Sequence, residues 1–140
     1  MTRADAVAAI AAELSSLLTS AGMAAADTTG NLKEPIDRAL RTLGYAASEL
    51  ATATPDDDAG FLALAIYESL KTIVARLAAN FDIATAGDSY RLQQVFANAK
   101  SVLEQAAATV AGLYGSAVAS GGIVNVDLGF LQNDDWALDG

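Results

Sequence analysis

The chain contains no cysteine and no histidine, two residue types on which many catalytic and metal sites depend. Without cysteine it cannot form a disulfide framework, a thiolate zinc site or a cysteine nucleophile. Without histidine it lacks the side chain that most often transfers protons near neutral pH. These absences disfavour catalysis, and we expect a protein that is not an enzyme and holds neither a metal ion nor a cofactor.

Aromatic residues and positive charge are also scarce. Aromatic side chains make up 6% of the sequence against 53% for all hydrophobic residues, so many apolar positions hold small side chains. Eight basic residues oppose 17 acidic ones, which gives a net charge of −9. Binding to nucleic acid needs clustered bases that neutralise phosphates, so we expect no sequence-specific DNA binding. An acidic surface would instead let DNA slide past it. A length of 140 residues favours a single domain.

Neither a membrane span nor a signal peptide is expected from the sequence. Residues 105–126 carry no charge over a length that could cross a bilayer, but their many alanine, serine and glycine residues make them too weakly apolar. Residues 1–26 resemble a signal peptide only loosely, because Asp5 and Glu13 interrupt the apolar run.

Apolar periodicity predicts two short helices in the first third of the chain. Hydrophobic residues recur at helical spacing over residues 3–20 and again over 31–44, and a glycine ends each pattern. Asn31 followed by Glu34 is a capping-box pattern for the second helix. Two i,i+4 ion pairs are predicted on the solvated face of that helix: Glu34–Arg38 and Asp37–Arg41.

Two longer helices are predicted at about 55–82 and 89–114. The short link between these amphipathic segments indicates an antiparallel helical hairpin. Thr54 is the predicted N-cap of the first long helix, with Pro55 at its first position. The run Asp56–Asp58 could suggest a cation site, but it lacks the ligand spacing of an EF-hand, and acids at a helix start complement the helix dipole.

No catalytic motif is recognisable elsewhere. The glycines match neither a Walker A loop nor a dinucleotide-binding fingerprint. The serines have no histidine to activate them. Ser69 and Lys71 are two residues apart and do not share a helix face, so a Ser–Lys nucleophile is disfavoured.

The C-terminal segment 123–138, IVNVDLGFLQNDDWAL, differs from the helical body because its residues alternate with a period of two. A single strand cannot satisfy its own backbone groups. The segment therefore docks on another chain, packs on its own helices as an irregular strap, or stays disordered. We favour the first of these. The candidate protein-interaction residues are the apolar ones: Val124, Val126, Leu128, Phe130, Leu131, Trp136 and Leu138.

The sequence thus predicts an all-α fold, in which a small helical bundle is built on the long antiparallel hairpin with two shorter helices. Residues 1–115 form the helical bundle domain. Residues 116–140 form an extended C-terminal arm, in which a glycine-containing linker leads to the strand-like segment 123–138.

Three stretches resemble the head–tail connector (adaptor) proteins of long-tailed bacteriophages and gene transfer agents. The resemblance covers about residues 30–115 and consists of the order and lengths of the helices, the KEPIDRAL…LG opening from Lys33 to Gly44, and the FDI…GDS turn from Phe81 to Ser89. The stretches are NLKEPIDRALRTLG, LALAIYESLKTIVARLAANFDI and GDSYRLQQVFANAKSVLEQAA.

This resemblance implies a non-enzymatic viral protein that forms a homo-oligomeric ring, typically of twelve copies, on the portal protein. Such a ring extends the DNA channel and presents a surface to the next connector or tail protein. It would lie at the head–tail interface of the virion after assembly in the host bacterial cytoplasm. In this family a terminal arm commonly embraces the portal or a neighbouring subunit, which is the role inferred above for residues 116–140.

A second hypothesis is a small secreted or surface-associated helical-hairpin module that acts through protein interactions. A secretion system that recognises a C-terminal signal would then account for the tail. However, Trp136 is followed by ALDG, so the sequence lacks the tryptophan–any–glycine turn expected of one such class.

Overall fold

The computed structural model describes residues 1–81 and 86–115. Within these ranges the chain is helical with intervening turns and contains no strand, which confirms the predicted all-α helical bundle. The elements in chain order are α1 (Arg3–Ser20), α2 (Lys33–Thr42), a short 3-10 helix (Ala47–Glu49), α3 (Asp58–Phe81) and α4 (Ala86–Tyr114).

Helix α3 is the centre of the bundle. It packs most extensively on α4, then on α2 and α1, whereas α1 and α4 meet only slightly. The apolar spacing of α3 predicts one stripe, formed by Leu62, Ile66, Leu70, Ile73, Leu77 and Phe81. Leu62 and Ile66 of that stripe are only half-buried. Leu70, Ile73 and Leu77 of the stripe are buried as predicted. Other faces of the helix are buried as well, including Phe61, Tyr67 and Glu68. A single stripe is therefore too narrow a description, because a helix covered from several sides must be buried around most of its circumference.

The glycines predicted to end α1 and α2 do so. Gly22 and Gly44 adopt positive φ angles of 71° and 102°, a conformation that glycine reaches without a Cβ penalty. After α2, the Tyr45 amide donates to the Leu40 carbonyl at 3.1 Å, which is the Schellman pattern of helix termination. An equivalent hydrogen bond closes α1.

The predicted capping box of α2 is wrong. Helix α2 follows Leu32, which provides no side-chain cap. The Asn31 side-chain oxygen instead accepts from the Ala24 amide at 2.8 Å, and the Glu34 carboxylate accepts from the Gly30 amide at 3.0 Å. Both polar side chains are therefore used to fix the loop between α1 and α2.

The two long helices begin at positions other than those predicted. Helix α3 starts at Asp58, and Asp57 caps it, since its carboxylate accepts from the Gly60 amide at 3.0 Å. Thr54 and Pro55 thus precede the helix, and the stronger preference of aspartate for the N-cap position accounts for the shift. Helix α4 starts at Ala86, three residues before the predicted 89.

The end of α4 lies beside the start of α3. The Tyr114 hydroxyl donates to the Asp57 carboxylate at 3.3 Å. Gly60 permits this approach, because a Cβ at that position would collide with both the hydroxyl and the carboxylate. Burial, together with the Asp57 charge, raises the pKa of Tyr114. Gly115 then follows α4 with a positive φ, one residue after the predicted end of this helix at 114.

Candidate functional site

A cleft of about 210 Å³ opens between α1, α3 and α4. It exists because α1 and α4 both pack on α3 but scarcely touch each other. Helix α1 bends at Leu14, a residue that lines the cleft. The apolar lining consists of Leu14, Ala63, Ile66, Leu70, Val102 and Ala106. The polar lining consists of Glu13, Gln105 and Thr109.

The cleft continues into an uncharged strip on α4. Ile66 and Val102 are only half-buried in its walls, and Leu113, one turn beyond Thr109, is 52% exposed. No residue from Gln105 to Gly115 is charged. Glu13 is the single charge among the described lining residues. Exposed apolar side chains beside a cleft make this face a candidate interaction site.

A buried arginine joins α1, α2 and the loop between them. The Arg3 guanidinium donates to Asp37 at 2.7 Å and to Asp27 through two bonds at 2.7 and 2.8 Å. It also donates to the Leu50 carbonyl at 3.0 Å, although Arg3 is only 9% exposed. The planar guanidinium suits such a multiply bonded position, and its role here is to hold elements together.

The stability of the protein is expected to fall in acid through Asp27. Its hydrogen bonds with Arg3 hold the pKa of Asp27 below its ordinary value of 3.8. A carboxyl group with a lowered folded pKa stabilises the fold above its unfolded pKa, and that stabilisation is lost as pH falls through the folded pKa. Denaturant unfolding at pH 5 and at steps below pH 4 measures the decline. Asp27→Asn, which cannot titrate, should show a shallower decline, and an unchanged slope in this variant would contradict the assignment.

A second charged cluster lies between α2 and α3. The Glu68 carboxylate, 1% exposed, accepts from Arg38 at 2.8 Å and lies 3.2 Å from the Lys71 ammonium. Arg38 also donates to the Thr72 hydroxyl at 2.8 Å. The predicted pair Glu34–Arg38 is therefore wrong, because Arg38 reaches across to α3.

The predicted pair Asp37–Arg41 is wrong as well. Asp37 is 8% exposed and binds Arg3 and Lys33, at 2.7 and 3.1 Å. A polar cavity of about 330 Å³ next to this cluster is lined in part by Arg41. The sequence placed these charges on a solvated face, whereas the structure turns Asp37 and Arg38 toward neighbouring elements.

Neither charged cluster was predicted from the sequence, although the positions of charged residues within apolar helix faces indicate each of them weakly. Arg3 is three and seven residues before Ala6 and Ile10, which places its charge in register with the buried face of α1. Glu68 and Lys71 are charged residues in the middle of a mostly apolar helix. A charge in register with an apolar face predicts a buried partner, but the partners of Arg3 lie 24 and 34 residues away, and the sequence does not identify them.

Two of the side chains considered above as candidate metal ligands or nucleophiles cap a helix or make an internal hydrogen bond. Asp57 caps α3, and the Ser69 hydroxyl donates to the Ala65 carbonyl at 2.8 Å. Over the described ranges, no group of three or more acidic side chains is placed to hold a metal ion. The helices described there also include none that is both long and apolar enough to span a membrane.

The residues predicted to mediate protein interaction lie outside the described ranges. All of them fall in the segment 116–140, so the boundary at residue 115 and the strand-like character of the arm remain predictions. They are Val124, Val126, Leu128, Phe130, Leu131, Trp136 and Leu138.

Comparison of the chain with protein-family models, with curated proteins and with solved structures finds no match. Functional inference therefore depends on the bundle, its open cleft and the sequence pattern of the tail.

Proposed function

We propose that this protein is a structural subunit of a phage-like particle, namely a head–tail connector (adaptor). It assembles as a ring on the portal protein, extends the DNA channel and docks through residues 116–140. The body of the subunit is the long antiparallel hairpin of α3 and α4, on which α1 and α2 pack. The particle is a bacteriophage or a gene transfer agent.

The open apolar cleft and the uncharged strip that continues it are the observation that carries this proposal. A subunit whose apolar surface stays exposed gains stability when a neighbouring chain covers that surface. In a ring, the same surface recurs on every copy and is covered by the next subunit or by an arm. The half-buried Ile66 and Val102 and the exposed Leu113 are suited to such burial.

The acidic net charge is also consistent with a protein that lines a DNA channel. With a net charge of −9, the protein repels DNA on average, so DNA passes through the ring without sequence-specific binding.

The tail contributes apolar anchors, which occupy alternate positions and would lie on one face of an extended strand. In this mechanism the arm gains a partner strand or groove on another chain only when the portal is present, which couples binding between chains to assembly.

Mass measurement tests the ring directly. Native mass spectrometry of the full chain should give homo-oligomers whose mass is a multiple of 14.3 kDa. Mixed with the portal protein of the same genome, the chain should give complexes that contain several copies of it in addition to the portal. A strict monomer under both conditions would exclude the adaptor role. That result would favour the secreted or surface-associated interaction module instead.

A pair of tail variants tests the arm. Val126→Asp adds a charge on the apolar side of the alternation and should abolish binding to the portal or to neighbouring copies. Asn125→Asp adds the same charge one residue away, on the polar side, and should bind as the wild type does. Helix content by circular dichroism should be equal in both. Loss of helix content in Val126→Asp alone would mean that the segment belongs to the core.

A further inference from the structure

We infer that, in the subunit before assembly, the cleft between α1, α3 and α4 binds residues 124–128 of the same chain. The occupant is thus a segment of the protein's own tail, and partners in the assembly must compete with the cleft for it. This inference goes beyond the proposed function and does not depend on it, since a tail that covers its own cleft is compatible with any partner.

The position of the cleft relative to the end of α4 is the first argument. Val102, Ala106 and Thr109 line it, and Leu113 continues the same face of the helix at the next turn. The tail begins after Gly115, which is six residues or about 9 Å along the helix axis from Thr109. This face of α4 therefore extends from the start of the tail to the cleft.

The length of the linker is the second argument. Residues 116–123 provide eight residues before Val124 and include Gly121 and Gly122. An extended chain advances about 3.3 Å per residue, so the linker spans up to about 26 Å. That length exceeds what is needed to reverse direction after α4 and return to the level of Thr109.

The size and register of the segment match the cleft. From Thr109 to Val102 the cleft runs for about 10 Å along α4. Three alternate side chains of an extended segment span about 13 Å, so two of them fit within the cleft and the third lies at its edge. Its volume of about 210 Å³ exceeds the roughly 150 Å³ of a cavity that holds a benzene-sized group. Val124, Val126 and Leu128 supply the apolar side chains for it.

Repulsion between Asp127 and Glu13 determines which side of residues 124–128 faces the cleft. Asp127 lies on the opposite side of the alternation from Val126 and Leu128, and therefore points away from Glu13 at the cleft. A shift by one residue would turn Asp127 toward Glu13 and expose the apolar positions. Because a short linker raises the effective concentration of the tail to the millimolar range, the cleft of the same subunit is favoured over that of another copy.

Disulfide cross-linking tests this inference on the full chain, which has no cysteine of its own to interfere. The test variant combines Thr109→Cys at the cleft with Val124→Cys in the tail. The control combines Ala108→Cys with the same Val124→Cys. Ala108 is exposed like Thr109 and adjacent in sequence, but it is not part of the cleft lining.

Under dilute oxidising conditions the Thr109/Val124 variant should form an intrachain disulfide at least tenfold faster than the control. The product retains the monomer mass of 14.3 kDa and loses its free thiols. Equal rates in the two variants would show that the tail does not select the cleft, and would overturn the inference. A disulfide-linked dimer as the main product would overturn it too, because the occupant would then come from a second copy.

Discussion

Replacement of Arg3 with alanine is expected to lower the free energy of unfolding by about 3 kcal/mol, a large part of the stability of a small domain. The variant leaves the Asp37 carboxylate, 8% exposed, without its closest partner, and it frees the Asp27 loop from α1. Lys33 remains 3.1 Å from Asp37 and is about half exposed, which places the loss at the lower end of the range for broken buried pairs. Denaturant unfolding followed by circular dichroism measures the change.

The matched control for this prediction is Arg41→Ala. Arg41 is an exposed arginine on α2 and makes no ion pair with the described residues. Surface substitutions of this kind usually change stability by less than about 0.5 kcal/mol. Similar losses in the two variants would mean that the Arg3 cluster does not hold α1, α2 and their loop together.

The second large effect is expected at Glu68, where alanine should cost about 3 kcal/mol because it removes a buried carboxylate that lies 2.8 Å from Arg38 and 3.2 Å from Lys71. In contrast, the combined replacement Arg38→Met, Glu68→Leu and Lys71→Met should cost less than about 1 kcal/mol, since it removes every charge of the cluster and keeps apolar volume. Equilibrium unfolding of the two variants gives the comparison.

The difference in free energy of unfolding between these two variants tests the prediction. If the triple replacement destabilises the protein as much as Glu68→Ala, then the cluster itself stabilises the junction of α2 and α3. If Glu68→Ala is neutral, the ion pairs of Glu68 with Arg38 and Lys71 contribute little to stability. Either result would contradict the expectation.

Much of the helical architecture could be predicted from sequence because local physics determines it. The 3.6-residue period placed α1 at its observed bounds, and Gly22 and Gly44 ended their helices because few other residues reach a positive φ without strain. The start of α3 was less predictable. Thr54 and Asp57 are both acceptable caps, and the contact of Asp57 with Tyr114 is a tertiary feature.

The candidate site was harder to predict than the helices. The cleft depends on how far α1 and α4 diverge over α3, and helical periodicity contains no information on that angle. For the same reason the sequence assigned Asp37 and Arg38 to local i,i+4 pairs, although Arg3 and Glu68 bind them across the fold. The tail pattern could be identified from sequence, but its binding partner could not.

The central position of α3 also bears on how this sequence can vary in evolution. Helix α3 as a whole packs on α1, α2 and α4, whereas each outer helix packs mainly on α3. Related sequences should therefore keep the volume pattern of α3 most strictly. The outer face of α4 should diverge sooner, and α1 and α2 should change in step with the part of α3 that each covers.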